Sequence, residues 1–197
     1  GYKELSVGNH LFMTIQWMLS SFANEGKAFF IAIWAAGFLL LVKSKKAKVY
    51  QSLAVVFSVV ALLPYAGISF FSEMGIGYID IEQCLTELPT WQTMTTQNRI
   101  AFFWWIAAVL FTLVLLWKVT GHSVFISMAF LGGIASEAVL HFSPTIYASG
   151  ARVYYLTDLM YLFIILWMVM RMDSEKKKNL FIAGAAALGI IDRKSTR

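Results

Sequence analysis

Residues 137–158 bring together the side chains best suited to chemistry in this chain. Glu137 and His141 are four residues apart, which puts both on one face of a helix. Asp158 shares a helical face with Tyr154 and Tyr161. Arg152 lies between these two groups, and its planar fork of donors matches a phosphate or pyrophosphate. Ser149 and Gly150 precede it, and a glycine there allows close backbone approach at a helix start, where amide groups face an anion. The set Glu137, His141, Ser149, Gly150, Arg152 and Asp158 is therefore the candidate substrate-binding site, for a phosphorylated ligand. The same residues also fit a plainer arrangement, with Arg152 paired to Glu137 or Asp158 and with Glu137 and His141 as a local pair.

A second acidic stretch spans residues 73–99, with Glu73, Asp80, Glu82 and Glu87. Asp80 and Glu82 are two apart and would face the same way on extended chain. They are candidate catalytic carboxylates, as a base or as ligands for a divalent ion, although a solvated acidic loop explains them too. Cys84 is the only cysteine, so neither an internal disulfide nor a thiolate metal site is available. His10, His122 and His141 are scattered without ligand spacing, so no metal site is assigned and no cofactor is called for beyond that divalent ion.

The elements that must position these residues are apolar. Hydrophobic residues make up 59% of the 197, and charged ones only 14%, roughly half the share of a soluble domain. Long apolar runs cover residues 28–42, 52–71, 100–117, 123–140, 153–170 and, more briefly, 180–191. A spanning helix needs about 20 mostly apolar residues. The expectation is an all-α fold: a polytopic transmembrane helical bundle of about five to six spans forming one integral membrane domain over residues 1–197. Pro64 is expected to kink the second run. The last helix and tail, residues 179–197, fit this pattern least well, and the tail from Asp192 reads as a non-native addition or a truncated end.

Charge orders the turns between the runs. Lys43, Lys45, Lys46 and Lys48 follow the first run, Lys118 follows the third, and Arg171, Lys176, Lys177 and Lys178 follow the fifth. The alternate segments, 73–99 and 141–152, hold only Arg99 and Arg152 as basic residues. Positive-inside bias puts the lysine-rich turns in the cytoplasm and the alternate segments outside. Residues 1–27 then lie outside as well, and residues 10–22, apolar but interrupted by polar side chains, suit an interfacial or re-entrant helix. The net charge of +5 comes from clusters at the ends of apolar runs, which argues for membrane topology and against a nucleic-acid partner.

The polar turn Ser143 to Arg152, of the form Ser-Pro-x-x-Tyr-x-Ser-Gly-x-Arg, leads into an aromatic-rich run. It resembles the later membrane helices of a bacterial and phage family of multi-spanning proteins found among serotype-converting and cell-envelope glycosyltransferases. The resemblance covers residues 137–170. It implies a GT-C-type enzyme of the bacterial inner membrane that takes a sugar from a polyprenyl-phosphate donor on the outer face. Arg152 would then face the donor phosphate, Tyr147, Ser149 and Gly150 would shape its pocket, and His141 and Glu137 would lie at the same mouth. Such enzymes have about eight or more spans and carry a catalytic acid in an early external loop, so this chain is expected to be the C-terminal portion of one. The rival expectation is a non-catalytic subunit packed against other membrane subunits in a larger complex. A small transporter ranks third, because few charged residues lie deep in the runs.

Overall fold

The computed structural model describes residues 7–24, 26–63, 96–121, 123–141 and 155–195. Within them the chain is all-α. The seven helices among the described residues are α1 (Val7–Asn24), α2 (Lys27–Leu41), α3 (Lys48–Leu62), α4 (Thr96–Val119), α5 (Val124–His141), α6 (Tyr155–Met170) and α7 (Glu175–Ser195). A 3-10 turn at Lys45–Ala47 joins α2 to α3. Each of the six apolar runs contributes a helix among the described residues, because an apolar stretch satisfies its backbone most simply within itself. Pro64 and the rest of the second run after Leu63 lie outside the described residues.

Helix α2 is the centre of the bundle and packs against α1, α3, α4, α6 and α7. Its Phe30 is fully buried and meets Phe22 of α1, Trp105 of α4, Phe130 of α5 and Tyr161 of α6, with ring centroids 5.2, 5.5, 6.1 and 5.7 Å away. Four helices thus converge on one aromatic side chain. One turn further on, the indole of Trp34 donates to Thr112 Oγ1 at 2.8 Å, and that hydroxyl donates to the Ala108 carbonyl at 2.7 Å. Phe57 of α3 stacks on Phe111 of α4 at 4.8 Å and 9°, and also touches Trp34.

These contacts fix direction. Phe30 meets Trp105, Trp34 meets Thr112 and Gly37 lies against Leu115, so α2 and α4 run parallel. Phe125 meets Phe163, Phe130 meets Tyr161 and Ser136 meets Thr157, so α5 and α6 run antiparallel. Lys43 after α2 bonds Asp173 after α6 at 2.7 Å, and Lys177 reaches the same carboxylate at 3.1 Å. The ends of α2, α4 and α6 therefore lie together. Lys43, Lys45, Lys46, Lys48, Lys118, Arg171, Lys176, Lys177 and Lys178 gather at this basic end, with Asp173 and Glu175 as the acids among them.

The turns at the basic end are tight. Gln51 donates to the Leu41 carbonyl at 2.6 Å and to the Ser44 carbonyl at 3.1 Å, satisfying acceptors left open where α2 stops. Gly121 ends the α4 exit in the left-handed region at φ 65°, where glycine escapes the Cβ clash.

Large apolar side chains also point outward, among them Val56 and Val59 on α3, Phe103 and Leu110 on α4, Phe125 and Met128 on α5, and Leu166 and Met170 on α6. Among the described residues, one stretch of a single helix, Arg99–Val119, is long and apolar enough to cross a membrane. Residues Thr14–Ala23 and Lys27–Leu41 pass the same test only as a pair, bent by 69°. Lys48–Leu62, Val124–Val139 and Tyr155–Met170 are shorter apolar helices. The polar interruptions of α1 turn inward: Thr14, Gln16 and Ser21 are buried beside Leu19 and Phe22, where α1 packs on α4 and α5.

Candidate functional site

The interior changes character along the bundle. Toward the basic end Leu115, Leu116, Ile126, Ile164 and Met168 are buried, and the buried hydroxyls of Thr120 and Ser127 bond nearby backbone carbonyls. Toward the opposite end, where α5 finishes and α6 begins, the buried residues include Glu137, Ser21, Thr157 and Gln16.

Small residues on α5 make this possible. Gly133 lies against α6 so closely that a Cβ there would meet Tyr161 Cε1 at 3.3 Å, Met160 Cβ at 3.5 Å and Thr157 Cγ2 at 3.7 Å. The Gly133 carbonyl accepts from Thr157 Oγ1 at 3.1 Å and from Ser136 Oγ at 2.8 Å, and the two hydroxyls are 3.2 Å apart. Gly132, its neighbour, faces open space. Of the glycine pair in the sequence, only Gly133 serves the helix–helix contact.

Glu137 follows Gly133 by one turn and is fully buried. Ser21 of α1 donates its hydroxyl to Glu137 Oε1. A carboxylate without donors is costly to bury, by several kcal/mol after relaxation. The Ser21 bond offsets part of that cost and ties α1 to the end of α5. The Tyr161 phenol edge lies against Gly133 one turn below, and its hydroxyl is buried without a hydrogen-bond partner among the described residues. Asp158 is half-buried in the first turn of α6, within electrostatic reach of that hydroxyl together with Glu137.

Of the sequence-derived site, the structure thus brings Glu137 and Asp158 to one end of the bundle. His141 closes α5 four residues beyond Glu137, at the same end. Tyr147, Ser149, Gly150 and Arg152 lie outside the described residues, as do Asp80 and Glu82. The ends of α5 and α6 that flank residues 142–154 lie side by side. Among the described residues no three His, Cys, Asp or Glu side chains converge as a metal site would require.

Sequence reasoning missed Ser21, and it placed Tyr161 on the Asp158 face without foreseeing its burial. A signal for Ser21 existed, since Thr14 and Ser21 are seven apart and share one helical stripe, as an inward polar face would. The spacing from Asp158 marked the face of Tyr161, but its neighbours come from α2 and α5 and carried no local signal.

At the basic end, hydrogen bonds from Lys43 and then Lys177 hold the Asp173 carboxyl at about 2, below its ordinary value. That acid stays charged at any physiological pH, so the latch between the turns after α2 and α6 does not titrate there.

No protein-family model matches this sequence, and no curated protein or solved structure matches it significantly.

Proposed function

We propose that this chain is a polytopic protein of the bacterial inner membrane, with its basic end in the cytoplasm and its working face at the opposite end. On that face it takes part in transfer of a sugar from a polyprenyl-phosphate donor to a cell-envelope glycan, as a glycosyltransferase or the C-terminal portion of one. One observation carries the reading. The turns after α2, α4 and α6 share an end, so the helix ends that carry Glu137, His141 and Asp158, and that flank Arg152, meet at the other. Positive-inside bias assigns that second end to the outer side. The apolar outward faces of α3 to α6 suit lipid, and a helix apolar all round belongs in a large core or a bilayer.

In this reaction an acceptor hydroxyl attacks C1 of the donor sugar and the bond from C1 to the phosphate oxygen breaks. The polyprenyl phosphate leaves with the bonding electron pair, and the hydroxyl proton passes to a carboxylate on the same face, for which Asp80 and Glu82 are the sequence candidates. Arg152 offsets the charge on the leaving phosphate, with Tyr147, Ser149, Gly150 and His141 around it. Arg152→Ala, assayed as labelled sugar passing from polyprenyl phosphate into glycan in membranes, should abolish transfer with expression unchanged. Undiminished transfer removes the phosphate role.

A second reading, a non-catalytic subunit, is favoured by the open outward face at Gly132, where a partner helix has room to approach closely. Gly132→Leu should then dissociate a larger complex and leave sugar transfer untouched.

A further inference from the structure

The last turn of α6 combines two surfaces. Phe163, Leu166 and Met170, at spacings of three and four, form an outward apolar stripe, and Met170 is 80% exposed. Beside it, Trp167 is half-buried and the Arg171 guanidinium stacks over its ring, 4.3 Å from the centroid. The cation is therefore fixed at the top of an apolar wall.

The nearby acids do not compete for it. Asp173 is engaged by Lys43 and Lys177, and Glu175 by Lys178 at 2.9 Å. Arg171 takes part in none of the ion pairs among the described residues. The surrounding turns add Lys45, Lys48 and Lys176, which leaves the local charge net positive.

We infer that Arg171 and Trp167, with the Phe163–Leu166–Met170 stripe, form a binding site for one anionic phospholipid. The phosphodiester meets the guanidinium and an acyl chain lies along the stripe. The fork of Arg171 suits a phosphate bidentately, which a lysine at this position would not. The apolar wall beneath selects a lipid over a soluble anion, because a free phosphate has nothing to bury against Leu166 and Met170. The inference rests on the membrane part of the reading above and is independent of any sugar transfer.

The test is native mass spectrometry of the purified protein titrated with dioleoyl phosphatidylglycerol, with dioleoyl phosphatidylcholine and soluble glycerol 3-phosphate as comparisons. Saturable binding of phosphatidylglycerol is expected, with little of phosphatidylcholine and no displacement by glycerol 3-phosphate. Arg171→Gln should weaken it about fivefold, as the loss of one basic contact to an anionic headgroup implies. Arg171→Lys should fall between. Met170→Ser, on an exposed side chain that the fold does not need, should also weaken binding with the melting curve unchanged.

Equal affinity for both lipids, or an Arg171→Gln protein that binds as the parent does, overturns the inference. Full displacement by glycerol 3-phosphate overturns it as well, since the site would then read the headgroup alone. Carbonate extraction of the same cells keeps the two failures apart: a protein released from membranes defeats the membrane reading, whereas one retained but indifferent to headgroup defeats only this site.

Discussion

Gly37 of α2 is the position where the structure leaves least room. A Cβ built there would lie 2.7 Å from Leu115 Cδ2, 3.0 Å from Cγ and 3.2 Å from Cδ1. Leu115 is fully buried and has no solvent to swing into, so Gly37→Ala must push α2 and α4 apart or force Leu115 from its rotamer. Overpacking costs about 1–3 kcal/mol, and a 2.7 Å approach to a fully buried side chain belongs in the upper part of that range, about 2–3 kcal/mol. The gain in helix propensity on replacing glycine returns about 0.8–1 kcal/mol, which leaves a net loss of about 1–2 kcal/mol. For a chain of this size each kcal/mol moves Tm by about 2–4 °C, so a fall of about 2–8 °C is expected.

Two other glycines supply the scale. Gly133→Ala meets its nearest atom at 3.3 Å and should cost less, while Gly132→Ala meets nothing within 4 Å and should be neutral or slightly stabilising. The assay is thermal unfolding of all three variants in one detergent, followed by circular dichroism. Leu115→Val removes the clashing terminal carbon, so Gly37→Ala with Leu115→Val should lose less than the two single losses added. A Gly37→Ala protein as stable as the parent, or one less affected than Gly132→Ala, would refute the close approach of α2 and α4.

Ser21→Ala removes the hydroxyl given to the buried Glu137 carboxyl and should cost about 1–3 kcal/mol, read as faster proteolysis within α1 and a lower Tm; an unchanged cleavage pattern would mean that α1 is not held there. Thr112→Val leaves the buried Trp34 indole without its acceptor, at a similar cost of about 1–3 kcal/mol, measured by the same unfolding curve. Asp173 should titrate at about 2, followed by NMR of its side chain. Its folded value is depressed, so its contribution to stability is complete above the unfolded value of about 3.9 and is lost as pH falls toward 2; Lys43→Gln should raise the midpoint. Cysteines placed at Lys45, Lys118 and Lys176, in a chain whose Cys84 is replaced by Ser, should all label from the same side of sealed vesicles with an impermeant maleimide, and labelling from opposite sides would break the parallel arrangement of α2, α4 and α6.

The helices themselves were legible. Each apolar run contributed a helix among the described residues because length and composition act locally, residue by residue, and need no partner to be read. The grouping of the basic turns was legible too, since alternating charge along a chain of antiparallel neighbours implies two ends. The contact of Lys43 with Asp173, 130 residues away, reaches the same grouping by an independent route.

The partners were not legible. Trp104 sits 5.6 Å from Phe57 and 6.3 Å from Trp34 in the aromatic interior, partners that lie on two other helices. Gly132 and Gly133 are indistinguishable in sequence, yet only one faces α6. Glu137 looked like a residue that His141 or Arg152 would satisfy, and its described donor is Ser21, 116 residues earlier.

By itself the sequence determined that the described residues are all-α, where their helices lie and which turns share their charge, because apolar length and charge placement are additive properties of the chain. Only the tertiary structure decided which face of each helix is inward, that Thr14, Gln16 and Ser21 point into the bundle, and that Glu137 is buried against α1. Those choices depend on the rotation of each helix against neighbours remote in sequence. In helices apolar all round, with little contrast between faces, periodicity carries no record of that rotation.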